Sequence, residues 1–189
     1  MSDNKTNSLL LLLHMKCMKQ VQSWHSTFLL TILFIVLGPL GIAQDAHPAR
    51  LYDPEADGHH QLQVAIQQAT SANKHILVQI GGNWCVWCYR FHDFVQQDST
   101  ISTLMKEQYV SIHLNYSREN MNEDILADLG YPQRFGFPVF VVLDSNGHRL
   151  HTQDSALLEQ EKSYDPKVVK GFLQNWSPKA LDPASYRQP

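Results

Sequence analysis

Residues 75–88 read HILVQIGGNWCVWC, an apolar run followed by a glycine break and two closely spaced cysteines. The run from His75 to Ile80 is typical of a buried central strand, and the pattern that follows predicts a helix from about Cys85 to Gln97. A C-x-x-C where a strand gives way to a helix is the layout of a dithiol redox centre, because the two sulfurs can close a small disulfide. The helix N-terminus also stabilises the thiolate of the first cysteine.

The sequence on either side predicts helices that alternate with strands. Further helices are predicted over His59–Asn73, from Ile101 after a cap within Asp98-Ser99-Thr100, over Glu119–Leu129, and after Asp165-Pro166. Further strands are predicted over Tyr109–Leu114, Val139–Leu143 and His148–Thr152, the last two joined by an Asn146-Gly147 hairpin turn. This order implies an α/β fold with a central mixed sheet of about four to five strands and helices on both faces.

The first 43 residues are predicted to be a cleaved export signal, which would place the protein in a periplasm or outside the cell. Lys16 and Lys19 precede an apolar run over residues 28–37, and small residues lead up to Ala43. Cleavage would leave a polar connecting segment over residues 44–58, one domain over residues 59–176 and a C-terminal tail over residues 177–189. The alternative is an uncleaved membrane anchor, although ten apolar residues are short for a span of about 20.

The net charge and the cysteine content argue against some classes of function. Cleavage would take the formal net charge from −3 to −5, and no basic patch remains that would favour nucleic acid. Cys17 would leave with the signal, so Cys85 and Cys88 would be the only cysteines of an exported domain. Because so short a loop constrains the unfolded chain little, the cysteine pair is predicted to be redox-active rather than a structural crosslink.

These features resemble the thioredoxin fold, and more closely the exported thioredoxin-like proteins of bacteria. The resemblance covers roughly residues 59–176 and rests on WCVWC at residues 84–88, on Phe137-Pro138-Val139 and on the Asn146-Gly147 hairpin. It implies a protein-disulfide oxidoreductase without a cofactor. It also implies that the Phe137–Pro138 bond is cis and faces the cysteines, where an extended substrate would pair with the backbone.

The resemblance implies roles for the residues of the site. Cys85 is expected to be the exposed nucleophile that attacks a substrate disulfide, and the more buried Cys88 to resolve the mixed disulfide. The residues expected to bind substrate are Trp84, Trp87, Phe137 and Pro138. Substrates would be disulfide-containing exported proteins, electrons would come from a membrane dithiol donor, and the protein would be a monomer.

Four positions depart from the family pattern. Gln79 stands where thioredoxins usually carry a buried acid, and His113 stands where a lysine often accompanies it. Both are therefore candidates for proton transfer, the alternative for His113 being an ordinary half-exposed strand residue. Val86-Trp87 between the cysteines supplies no charge that would stabilise a thiolate, which favours a reductase over an oxidase.

Two other function classes stay open. Cys85, Cys88 and His92 have the spacing C-x-x-C-x-x-x-H, and His59-His60 could supply a fourth metal ligand, although no second C-x-x-C accompanies them. The other class is a binding or chaperone module without redox turnover, since a fold does not determine a function.

Overall fold

A four-stranded mixed sheet organises the part of the chain that the computed structural model describes, residues 50–187. Its strands are β1 (His75–Gly81), β2 (Tyr109–Asn115), β3 (Val139–Leu143) and β4 (Arg149–Asp154). The order is β2-β1-β3-β4, with β1 parallel to β2 and antiparallel to β3, and β3 antiparallel to β4. The predicted α/β class and mixed sheet are confirmed, whereas the predicted export signal lies outside the described residues.

Helices cover both faces of this sheet. They are α1 (Gly58–Ala72), α2 (Val86–Gln97), α3 (Ser99–Gln108), α4 (Glu123–Asp128), α5 (Pro166–Asn175) and α6 (Pro178–Leu181). Short 3-10 helices lie at Pro132–Phe135, Ser155–Leu158 and Pro183–Tyr186, and a small ribbon joins β5 (Glu159–Gln160) to β6 (Ser163–Tyr164). One core cluster joins α1 and α4 to the sheet, and another joins α2, α3 and α5 to the opposite face. No helix within residues 50–187 combines the length and the apolar composition needed to span a bilayer.

Strand β1 is buried along its whole length because it pairs with a strand on each side and is covered on both faces. Successive side chains of a strand point to opposite faces. Ile76 and Val78 belong to the α1 and α4 cluster, and Leu77 belongs to the α2 cluster. The same alternation directs Gln79 to the face that α2 covers, beneath the helix that carries the cysteines.

One predicted helix start agrees with the structure, and another does not. The cap predicted within Asp98-Ser99-Thr100 is confirmed, and the structure identifies it as Asp98, whose Oδ1 accepts the backbone N–H groups of Thr100 at 2.9 Å and Ile101 at 3.1 Å. The helix predicted over Glu119–Leu129 is wrong in its first turn, because Asn122 has left-handed backbone angles (φ 49°, ψ 42°) and α4 begins only after it. The Asn122 side chain also donates to the carbonyl of Asn115, which ties this loop to the end of β2.

Replacing Asp98 by alanine should lower the free energy of unfolding by about 1 kcal/mol, because α3 loses the acceptor for two of its unpaired N–H groups. Asp98→Asn should keep most of that stability, since asparagine is also a good N-cap. Urea unfolding of the two variants and the wild type measures the difference. Equal losses in both variants would contradict the capping role.

Candidate active site

The two cysteines form a disulfide at the start of α2. The Cys85–Cys88 sulfurs are 2.08 Å apart and the Cα atoms 5.3 Å apart. Cys85 is the N-cap of α2, and its Sγ accepts the backbone N–H of Cys88 at 3.1 Å. A helix N-terminus carries unpaired N–H groups and a partial positive charge, so a thiolate formed at Cys85 is stabilised there.

Cys85 is less accessible than predicted. Its exposed fraction is 4%, compared with 0% for Cys88. The expectation that Cys88 is the more buried cysteine is confirmed, but the expectation of an exposed Cys85 is wrong for this disulfide form. Two causes account for the difference: the Cys85 sulfur turns back to the Cys88 N–H, and Leu51, Tyr52 and Phe137 pack in the same cluster.

Gly81 and Gly82, which precede the cysteines, allow side chains to approach the backbone closely. A methyl group on Gly81 would overlap the Sγ of Cys88 and lie 2.8 Å from the hydroxyl of Tyr52. A methyl group on Gly82 would overlap the indole nitrogen of Trp84. The absence of a Cβ atom at both positions therefore allows the second cysteine and Trp84 to take their places.

Gln79, in β1, contacts the backbone of Cys88 from the side of the sheet. It is buried, and its Nε2 donates to the carbonyl of Cys88 at 3.3 Å and to the hydroxyl of Tyr52 at 2.9 Å. Both hydrogens of the amide are thus used. The structure brings Gln79 to the predicted place beneath the cysteines, where it supports Cys88 but offers no ionisable group.

Tyr52 is a residue of the site that sequence reasoning missed. It lies in the polar connecting segment, yet it is fully buried. Its backbone N–H donates to Asn83 Oδ1 at 3.0 Å, and Asn83 Nδ2 donates back to its carbonyl at 2.8 Å. Burial raises the pKa of the Tyr52 hydroxyl far above its ordinary value, so the hydroxyl stays protonated. The only signal in the sequence is the apolar pair Leu51-Tyr52 within a polar stretch.

His113 lies next to this network. It is opposite Gln79 in the β1–β2 register, and its ring meets the Tyr52 ring edge-on at 5.4 Å between centroids. With Gln79 and His92 it lines a cavity of about 470 Å³. Burial, and to a lesser extent His92, lowers the pKa of His113 to about 4, so the imidazole is neutral at pH 7.

Three aromatic side chains, Trp84, Phe137 and Tyr116, form an aromatic wall beside the disulfide. The indole N–H of Trp84 donates to the carbonyl of Tyr116 at 2.8 Å, and its ring meets Phe137 edge-on at 5.2 Å. Phe137 in turn stacks on Tyr116 at 4.8 Å and packs against the cysteines. The Phe137–Pro138 peptide bond is cis, and Pro138 is buried. The structure thus brings two predicted substrate-binding residues together and adds Tyr116.

Trp87 has a different environment from Trp84. It is half-buried, its ring meets that of Tyr164 edge-on at 5.7 Å, and the guanidinium of Arg90 lies 4.4 Å from its centroid. The carbonyl of Trp87 also accepts from the Tyr164 hydroxyl at 3.1 Å. These contacts anchor Trp87 to the domain, and its role in substrate binding stays a prediction.

Three residues of the metal hypothesis, Cys85, Cys88 and His59, have other partners. Both cysteines are in the disulfide, and His59 Nε2 lies 2.7 Å from the carboxylate of Asp124. Within residues 50–187 no group of three or more His, Cys, Asp or Glu side chains is placed to hold a metal ion.

A mixed sheet with helices on both faces and a C-x-x-C at the start of a helix define a thioredoxin-fold protein with a dithiol site. A family model described as thioredoxin-like matches residues 57–145. Residues 57–145 are therefore similar in sequence to thioredoxin-like proteins, and the fold of residues 50–187 agrees with that similarity.

Solved structures that are similar to this chain include the following two. A disulphide isomerase from Xylella fastidiosa Temecula1 is 22% identical, with 66% of this chain and 94% of that chain covered and a TM-score of 0.57. A structure described as DsbH oxidoreductase is 20% identical, with 58% of this chain and 79% of that chain covered and a TM-score of 0.36. The first likeness supports the fold. A search of the curated proteins found no match.

Tyr52→Phe should lower the free energy of unfolding by about 1–3 kcal/mol, because one N–H of the buried Gln79 amide loses its acceptor. The double variant Tyr52→Phe/Gln79→Met should lose less than the sum of the two single variants, since no buried polar group is then left unpaired. Urea unfolding of the four proteins measures the coupling. Strictly additive losses would show that the contact contributes nothing to stability.

Acid should destabilise the fold partly through His113. The unfolded chain binds a proton at this histidine below about pH 6.5, but the folded protein does so only near pH 4, so the free energy of unfolding falls across that window. Each unit of pKa difference corresponds to about 1.4 kcal/mol. His113→Asn should therefore lose less stability than the wild type between pH 7 and pH 4.5, as measured by urea unfolding. Identical pH profiles would refute this contribution.

Proposed function

We propose that this protein is a thiol-disulfide oxidoreductase that reduces or exchanges protein disulfides through Cys85 and Cys88. The observation that carries the proposal is the position of the disulfide, with Cys85 at the N-cap of α2 and its sulfur on the Cys88 N–H. The same N–H would stabilise a Cys85 thiolate after reduction. A crosslink between residues three apart contributes little to stability by loop closure, which favours a chemical over a structural role.

The exchange proceeds in two balanced steps. The Cys85 thiolate attacks one sulfur of a substrate disulfide, forming a mixed disulfide and releasing the other substrate sulfur as a thiolate that takes up a proton. Cys88 then loses its proton and attacks Cys85 Sγ, which closes the Cys85–Cys88 disulfide and releases the second substrate thiol. Two electrons pass to the substrate, and an external dithiol restores the reduced pair.

The proton of Cys88 needs an acceptor other than the residues that touch it. Gln79 has no basic group, and the Tyr52 hydroxyl stays protonated because it is buried. His113 is a neutral imidazole that contacts Tyr52 and lines the same cavity as Gln79, so we assign it the proton-accepting role. Its pKa of about 4 makes it a weak base, so the resolving step should be slower than with a buried carboxylate of higher pKa.

The proposal extends to the compartment and the partners. The apolar run over residues 28–37 and the small residues up to Ala43 support export, and the disulfide suits an oxidising compartment. Substrates are then exported proteins with disulfides, bound by Trp84, Phe137 and Pro138, and electrons come from a membrane dithiol donor. The uncharged Val86-Trp87 pair favours the reducing direction.

One observation favours a second function. The 4% exposure of Cys85 is low for a nucleophile, and a buried disulfide is also what a binding module without redox turnover would contain. Such a module would use the aromatic wall to hold a partner and leave its disulfide oxidised. A disulfide that resists reduction by dithiothreitol in the folded protein would favour this alternative.

Replacing the first cysteine separates these functions. The purified protein should accelerate the reduction of insulin by dithiothreitol, and Cys85→Ser should reduce the rate to that of dithiothreitol alone, because no nucleophile remains. Precipitation of the free insulin chains measures the reaction.

Replacing the second cysteine should trap the substrate. In the native host, Cys88→Ser should accumulate mixed disulfides through Cys85 with exported proteins, since the resolving thiol is missing. Cys85→Ser/Cys88→Ser is the matched control and should form none. Recovery of no adduct, together with no insulin reduction, would favour the binding module.

A further inference from the structure

The Tyr52 hydroxyl lies beside the sulfur of Cys88, the cysteine that resolves the mixed disulfide. Both groups stand within 2.8 Å of the point that a Cβ atom on Gly81 would occupy. Both side chains are also fully buried, and they pack in one cluster with Cys85. The missing Cβ atom thus leaves one space that the phenol hydroxyl and the second sulfur share.

This hydroxyl has a hydrogen to donate. Within residues 50–187 its one hydrogen bond is the bond that it accepts from Gln79 Nε2 at 2.9 Å. A hydroxyl offers one donor and two acceptor positions, so the O–H of Tyr52 is unused in the disulfide form. A buried donor without an acceptor costs free energy, and a thiolate at Cys88 is an acceptor that would remove this cost.

Contacts on several sides hold the hydroxyl in this position. The Asn83 side chain accepts the backbone N–H of Tyr52 and donates to its carbonyl. The Tyr52 ring meets the His113 ring edge-on, and Gln79 binds the hydroxyl oxygen from β1. The hydrogen bond from Gln79 also polarises the Tyr52 O–H and makes it a stronger donor. A donor that is fixed before a charge forms stabilises that charge without reorganisation.

Cys88 has to become a thiolate in a buried place. It loses its proton before it attacks Cys85 Sγ, and the burial of the sulfur opposes the charged form. Gln79 donates to the carbonyl of Cys88 and not to its sulfur, and the Cys88 N–H is bound to Cys85 Sγ. A donor at the Cys88 sulfur would offset the desolvation, and the Tyr52 O–H is placed to supply it.

We propose that Tyr52 is a catalytic residue whose hydroxyl donates a hydrogen bond to the Cys88 thiolate while this sulfur attacks Cys85. The inference rests on the proposed function and adds to it a residue that lies outside the C-x-x-C segment. No covalent bond of Tyr52 is made or broken, because the phenol keeps its proton and His113 takes the proton of Cys88. An electron pair of the thiolate forms the new S–S bond, and the substrate sulfur leaves as a thiolate.

Removing the hydroxyl should slow the resolving step alone. Reduced protein is mixed with dithiobisnitrobenzoate, an aromatic disulfide that releases one coloured thiolate when Cys85 attacks it and another when Cys88 closes the disulfide. The first phase depends on the reagent concentration and the second does not. Tyr52→Phe should slow the second phase about three- to tenfold, because the loss of thiolate exceeds the gain in its nucleophilicity. The first phase should stay unchanged, and equal second phases in the two proteins would overturn the inference.

The pKa of Cys88 separates a catalytic role from a structural one. In full-length Cys85→Ser, adding Tyr52→Phe should raise the pKa of the Cys88 thiol by about 1 to 2, because the thiolate loses a hydrogen bond. The chemical shift of the isotope-labelled Cys88 Cβ, followed against pH, measures this change. Tyr109→Phe is the matched control, since Tyr109 is also buried and its hydroxyl donates to the carbonyl of Leu173 at 2.6 Å. It should leave the pKa and both phases unchanged, and an equal rise in both variants would overturn the assignment.

A modified tyrosine should produce the opposite change. Tyrosine with one fluorine beside the hydroxyl, incorporated at position 52, keeps the shape of the side chain but has a more acidic hydroxyl. It is therefore a stronger donor, and it should lower the pKa of Cys88 and accelerate the second phase. This protein keeps the hydrogen bond to Gln79, so the test holds even where Tyr52→Phe does not fold. A second phase that is unchanged or slower would contradict the inference.

The inference and the proposed function fail in different measurements. Reduced wild type that releases no coloured thiolate in either phase would overturn the oxidoreductase proposal, and the role of Tyr52 would fall with it. Two phases in the wild type, with the same second phase in Tyr52→Phe and in the fluorinated protein, would overturn the role of Tyr52 alone.

Discussion

The close packing of Cys88 against Gly81 is the contact on which the rest of the site depends. Gly81 is the last residue of β1, and this strand is paired on both sides and buried throughout, so its end has little freedom to move. A side chain there would displace both Cys88 and Tyr52. The contact places the second cysteine at the end of a fully buried strand, and the start of α2 then sets Cys85 at a helix N-terminus.

A neutral network replaces a buried charge beneath the cysteines. Gln79 joins the Tyr52 hydroxyl to the carbonyl of Cys88, and all three groups are uncharged. Burying a carboxylate at this place would cost desolvation free energy, which an amide with both hydrogens bonded largely avoids. The network therefore contains no basic group, and the neighbouring neutral His113 is the proton acceptor that we propose. The network thus holds the buried Cys88 in place but contains no group that can accept its proton.

The two tryptophans of the WCVWC segment make different contacts. Trp87 faces Tyr164 and Arg90 and ties α2 to the domain, whereas Trp84 stands largely in solvent and is held by Tyr116 and Phe137. In the disulfide form the sulfurs are buried, whereas Trp84 is 56% exposed and Val86, between the cysteines, is 61% exposed.

The sequence by itself determined the α/β class, the central strand, the cysteine pair at a helix start and a helix cap within Asp98-Ser99-Thr100, because each depends on a short local pattern. Only the tertiary structure decided the burial of Cys85, the place of Tyr52 and the contact of Tyr116 with Phe137. Tyr52 is 31 residues from its partner Asn83, and no periodicity connects such distant positions. Contacts of this kind arise because the ends of β1 and β2 and the start of β3 lie at neighbouring points of one sheet, and that arrangement is a property of the fold as a whole.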